Sequence, residues 1–174
     1  MKKKKDNIIL TIFILTFILS IVFSGISNVV AATFNDIVLF FIMILVIVIG
    51  IIFDVIGTAS ITANEATFHS MSSKKIKGAK ECISIIKNSS SISSFCNDVV
   101  GDVCGIVSGG LGAVLAISIS SSTNLDNTLV SVLLSAFISS FTVGGKAIFK
   151  RVAIKNSDKI IFMVGKLKSI FKIK

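Results

Sequence analysis

Charged residues are absent from four long stretches of the chain, residues 7–35, 37–53, 103–125 and 127–145, and each is rich in Ile, Leu, Val and Phe. A helix of roughly 20 apolar residues crosses about 30 Å of hydrocarbon. The pattern therefore predicts four transmembrane helices, near residues 8–32, 37–62, 98–120 and 127–145. The second is carried through Asp54 because residues 55–64 are again uncharged. Between the second and third, Phe68, Met71, Ile76, Ala79, Ile83 and Ile86 recur near helical spacing, with Lys74, Lys75, Lys77, Lys80 and Lys87 between them. That is an amphipathic helix over about 65–88, broken near Gly78 and lying on the membrane surface. "SSSISS", residues 89–94, reads as a short polar turn. The closing "DKIIFMVGKLKSIFKIK" sets Ile160, Ile161, Val164, Leu167 and Phe171 against lysines, which predicts a second interfacial helix over about 157–174. The expected fold is all-α: one polytopic transmembrane domain, residues 1–174, with no separate soluble domain.

Composition agrees with this pattern. The chain is 53% hydrophobic and contains no Pro, Trp or Tyr, which argues against a water-soluble domain. Its 18 Lys and Arg fall in three clusters, residues 2–5, 74–87 and 146–174, separated each time by two apolar spans. The opposite turns carry only Asp36 and Asp126. By the positive-inside rule both termini and the central basic segment are cytoplasmic, in a multi-pass protein of the cell (inner) membrane. The net charge of +9 is accounted for by this orientation and by attraction to anionic inner-leaflet lipid, so nucleic acid is not an expected partner. "MKKKK", an apolar run and "NVVAA" also have the order of a cleaved signal peptide. Cleavage would leave an odd number of spans and put the basic clusters outside, so a retained first helix is expected.

Cys82, Cys96 and Cys104 lack CxxC spacing and only His69 could join them, which predicts small buried residues rather than zinc or disulfides. No Ser, His and acid constellation can be assembled around a water-excluding pocket, and the chain is not expected to be an enzyme.

The acids are the informative residues. Asp98 and Asp102 stand four apart in "NDVVGDVCGIVSGGLG" and continue into Gly105, Gly109 and Gly112, with Gly101 and Ser108 alongside. Small residues at this spacing let another helix approach closely, so the face is expected to meet protein or a wet cavity rather than lipid. Acids within a membrane commonly mark an ion path or a paired charge. A second polar cluster, Asp54, Thr58, Ser60, Thr62, Asn64 and Glu65, follows the second span. Carboxylate, amide, hydroxyl and carbonyl oxygens together suit a hard cation such as Mg²⁺. Pairing of these acids with lysines, Lys146 above all, is the competing reading.

Three patches resemble the transmembrane domain of the CNNM/CorB/CorC family of magnesium transport proteins. "TANEATF" is similar to the family's Ser-Gly-Ser-Glu-Thr-Ala-Leu stretch. "KGAKECISIIKN" with "VVGDVCGIV" looks like its juxtamembrane helix and the Ile-Gly-Asn-x-Leu opening of the next span. "VGGKAIFKRVAIKNSDKI" is similar to its closing Phe-Gly-Glu segment, matching at Gly145, Lys150, Ala153 and Asn156. The resemblance covers about residues 54–163. It implies a homodimer that holds dehydrated Mg²⁺ near an inward-facing cavity, with Na⁺ as a coupling ion. Thr62 stands where the family has a metal-facing Ser, Asp102 where it has an Asn, and Gly145 in an unwound turn whose carbonyls ligate. The expected metal set is Thr62, Asn64, Glu65, Asp98, Asp102, Gly144 and Gly145. Lys146 replaces the family's Glu and Phe149 its Pro; an ammonium repels a cation, while Asp102 restores the lost negative charge. An Asp102 to Lys146 pair in place of metal would make the chain a non-transporting scaffold or regulator. Nothing here corresponds to the family's nucleotide-binding CBS modules, so nucleotide control of transport would come from a separate regulatory protein or be absent.

Overall fold

The computed structural model describes residues 2–171, with the side chains of 2–13, 15, 16, 19, 31 and 171 outside the described set. The described chain is helical, joined by short turns. Its helices are α1 (Lys2–Thr33), α2 (Asp36–Thr62), α3 (Glu65–Ser73), α4 (Ala79–Lys87), α5 (Ser89–Ser94), α6 (Gly101–Thr123), α7 (Asn127–Lys155) and α8 (Ser157–Phe171), with a π-helical turn, Phe95–Val100, between α5 and α6. Among the described residues three helices are long and apolar enough to cross a membrane: Asp36–Thr62, Ser89–Thr123 and Asn127–Lys155. The span expected over 8–32 lies within α1, partly on side chains outside the described set; Ser20–Val30 within it is apolar helix.

Two expectations need correction. "SSSISS" is not a turn but the first turns of a 35-residue helix, fastened to α2 where Ser60 Oγ reaches the Ser89 carbonyl at 3.4 Å. The fourth span does not end at Gly145; α7 is unbroken to Lys155. The amphipathic segment is two helices, α3 and α4, with the break falling next to Gly78 as expected. Lys75 adopts φ 57° and closes α3, its N–H donating to Ser72 O and that of Ile76 to Met71 O, the paired bonds of a Schellman motif. Gly78, at φ 91°, then opens α4.

The chain forms two compact units. The first comprises residues 1–48 and 102–141. Its buried side chains are Leu39, Met43 and Ile47 of α2, Leu111, Leu115 and Ala116 of α6, and Val130 of α7. Small residues set its closest approaches. A Cβ on Gly112 would collide with Ile138 Cδ1 and lie 3.8 Å from Met43 Sδ, and one on Gly110 would lie 3.5 Å from Ser27 Cβ of α1. Phe137 stacks against Phe40 and Phe141, with ring centroids 6.0 and 4.6 Å apart. Ser118 donates to the Asp36 carboxylate at 2.8 Å, which explains how that acid is held at a helix end.

The second unit comprises residues 49–101 and 142–174. Its core is Ala59, Phe68, Cys82, Ile85 and Ile161, flanked by Met71, Ile86, Ile160 and Val164. The apolar stripes of α3, α4 and α8 meet here, leaving the lysines outside. Gly165 lets α8 close onto α4: a Cβ there would meet Cys82 Sγ and stand 3.0 Å from Gly78 O. Cys82 is fully buried and donates to Ile161 O at 3.3 Å. Burial foremost, then the Glu81 carboxylate, pushes its thiol up from 9.0 to about 11. Folding thus favours the protonated thiol. Its contribution is complete below pH 9.0 and is lost as pH rises through about 11. Folded protein is expected to resist iodoacetamide at Cys82 at pH 8. Above pH 9.0 its melting temperature should fall more steeply than that of Cys82→Ala; parallel curves would contradict the assignment.

Candidate functional site

Within the second unit, Gly57, Thr58, Ala59 and Ser60 form a buried small-residue run on α2. Ser60 Oγ donates to Gly57 O at 2.8 Å and reaches Ser89 O at 3.4 Å, tying α2 to α5. The π turn lies against Gly57: a Cβ there would stand 2.5 Å from Asn97 Oδ1 and 3.1 Å from Cys96 Cβ. Gly101 N–H donates to Cys96 O, five residues back rather than four. Such one-residue insertions are frequent at functional sites. Asn97 Nδ2 donates to Ser93 Oγ at 3.2 Å, whereas its Oδ1 is buried with no partner. Turning the amide over would only exchange which of its two polar atoms is orphaned. Among the described residues, Asn97 Oδ1 and Thr142 Oγ1 are the buried side-chain oxygens left unbonded, and buried polar groups rarely stay so. Asp98, next along the turn, is exposed and accepts no hydrogen bond from the described residues. Lys146 Nζ lies 3.4 Å from where a Gly101 Cβ would sit, which brings one cation beside the turn.

The stripe formed by Asp98, Asp102, Gly105 and Gly109 is continuous on the helix, but it is the exposed face of this chain, and a Cβ at Gly105 or Gly109 would meet nothing within 4 Å beyond its own helix turn. The expectation that this face meets protein therefore fails within one chain. The buried face is the neighbouring one, with Ser108, Leu111, Gly112 and Leu115.

The remaining expected ligands are occupied locally. Thr62 Oγ1 donates to Thr58 O at 3.0 Å. Asn64 Oδ1 caps α3 by accepting from Ala66 N at 3.0 Å. Glu65 pairs with His69 at 3.1 Å, the one ion pair within 4.0 Å among the described residues, and this is also what the interfacial histidine does. Gly144 and Gly145 are regular α7 residues rather than an unwound turn, so their carbonyls accept along the helix. Gly145 serves packing instead, since its Cβ would lie 2.5 Å from Ile51 Cδ1. Asp102 opens α6 and belongs to the first unit. Among the described residues no group of three or more His, Cys, Asp or Glu gathers to hold a metal ion.

Sequence reasoning missed two residues. Asn97 carries no signal beyond its place before Asp98. Asp158 had one: Asn-Ser-Asp before an apolar run is a helix-start pattern. Its Oδ1 accepts from Asn64 N at 2.8 Å and its Oδ2 from Thr67 Oγ1 at 3.2 Å, so the first turn of α8 holds the first turn of α3. Thr62, Asn64 and Asp158 line one cavity of about 270 Å³, together with Lys155 and Lys159.

No family model, curated protein or solved structure matches this chain.

Proposed function

We propose that the chain moves a divalent cation, Mg²⁺ foremost, across the cell membrane as a homodimer, with both termini cytoplasmic. The observation that carries this reading is the unpartnered Asn97 oxygen beside the free Asp98 carboxylate in the π turn. One carboxylate with neutral oxygens suits an ion that must leave again, since a full carboxylate cage would retain it. The exposed Gly105 and Gly109 face supports a second copy as partner, because small residues three between let helix backbones pack closely. Asp102, on the same face, attracts the hydrated ion. Thr62, Asn64 and Glu65 take part only if their local bonds open, and Gly144 and Gly145 only through a carbonyl's second lone pair. Na⁺ is the proposed coupling ion, anionic inner-leaflet lipid the proposed setting, and regulation falls to a separate protein. The work is ion movement, not chemical catalysis.

A second reading rests on Lys146. The expected Asp102 to Lys146 pair is not formed within 4.0 Å among the described residues, but the ammonium beside Gly101 occupies the neighbourhood a cation would use, and a chain in which it stands in for the ion is a membrane scaffold without transport. Mg²⁺ uptake into proteoliposomes loaded with a fluorescent indicator separates the two. Transport predicts flux in the wild type, a loss of about tenfold or more in Asp98→Asn, as expected when a charge-assisted contact is removed, and a gain in Lys146→Met. The scaffold predicts no flux in any of the three.

A further inference from the structure

The closing turn of α3, the start of α4 and the end of α8 line an open cleft of about 590 Å³, within the size range of small-ligand sites, with its lysines exposed. Lys75, Lys77 and Lys80 line it, with Ser72, Ser169 and a single acid, Glu81. None of these lysines has a carboxylate within 4.0 Å among the described residues, so Glu81 does not neutralise them. The first turn of α4 borders the cleft, and Gly78 gives it no side-chain cap. Helix N-termini favour anions, and here the effect adds to three unpaired ammonium groups. The charge excess asks for more than one negative charge on a compact ligand. A carboxylate carries one; a phosphate monoester carries about −1.5 to −2 near neutrality. Lys75 holds its charge in a left-handed conformation that glycine would adopt at lower cost.

We infer that this cleft is a binding site for a phosphate monoester group. The group belongs either to an anionic phospholipid headgroup or to a soluble phosphate ester. Exposed Ile76 at the rim, with exposed Leu167 and Ile170 on α8, gives the surroundings the mixed apolar and basic character of a membrane interface.

The test uses the full chain in phosphatidylcholine nanodiscs containing a small fraction of phosphatidic acid. Lipid retention is read by native mass spectrometry, alone and in competition with millimolar inorganic phosphate. The triple variant Lys75→Gln, Lys77→Gln, Lys80→Gln is expected to lose about tenfold or more in retention, each lysine near an anionic surface contributing appreciably. A control of equal charge, Lys150→Gln, Lys155→Gln, Lys159→Gln, should stay close to wild type. Displacement by inorganic phosphate identifies a soluble ligand, resistance to it a lipid headgroup, and either outcome supports the site. Equal losses in the two triple variants, or no loss in the first, would overturn it. Lys75→Gly guards against misfolding: it removes one charge while relaxing the backbone, so weaker retention at an unchanged or higher melting temperature reports the ligand alone. Phosphatidylglycerol, a diester with one charge, should bind more weakly; equal binding would also count against a monoester site.

Discussion

Phe68→Ala is expected to destabilise the second unit by about 3–5 kcal/mol, the usual cost of truncating a buried aromatic. Phe68 is fully buried and is the largest such side chain among the described residues. It packs with Cys82, Ile85 and Ile161, which lie on α4 and α8 outside the three apolar spans, so the comparison with water-exposed unfolded chain holds there. Removing the ring leaves a void that Ala59 is too small to fill. Cys82 offers a built-in reporter, because its thiol becomes reactive once the cluster opens. Thiol labelling against urea should shift to lower denaturant in Phe68→Ala and much less in Phe68→Leu. An unshifted profile would mean that this cluster is not what holds α3, α4 and α8 together.

Gly57→Leu is expected to abolish Mg²⁺ flux and to expose Cys96. Any Cβ at this position stands 3.1 Å from Cys96 Cβ and closer still to the Asn97 amide, so a branched side chain must push the π turn away from α2. Gly57→Ala should be intermediate, since the end of Asn97 can swing aside while Cys96 Cβ yields only a few tenths of an ångström. Maleimide labelling of Cys96, in a background with Cys82 and Cys104 replaced by serine, measures the displacement independently of transport. Flux that survives in Gly57→Leu while Cys96 becomes reactive would remove the π turn from the transport path.

The amphipathic helices were legible because burial there follows a simple rule: apolar residues at helical spacing turn inward, and Phe68, Ile161 and the flanking Met71 and Val164 do so. Three spans were legible for the related reason that lipid tolerates no charge. The "SSSISS" run misled because what keeps it helical is tertiary and local packing, Ser60 on the Ser89 carbonyl and Asn97 on Ser93, which a polar string does not announce. The π turn left no trace, since it depends on how closely α2 approaches, and that is decided by Gly57, far away in sequence. The acidic stripe was recognised as a stripe, yet its exposure depends on whether another helix covers it, a tertiary fact that spacing does not contain. Gly145 resembled a family turn, but with Lys146 and Phe149 in place of Glu and Pro nothing interrupts helical hydrogen bonding, and α7 runs on.

The contact of α8 with α4 through Gly165 and Cys82, and the double grip of Asp158 on α3, join segments that α6 and α7 separate along the chain. A ribosome delivers α3 and α4 first, with the sides that α8 will cover still bare, and two hydrophobic crossings must be inserted before the closing helix is made. During that interval the half-built assembly needs shelter, from lipid or from a chaperone. Chains truncated after residue 156 should therefore be inserted but readily digested, and restoring α8 should end that vulnerability.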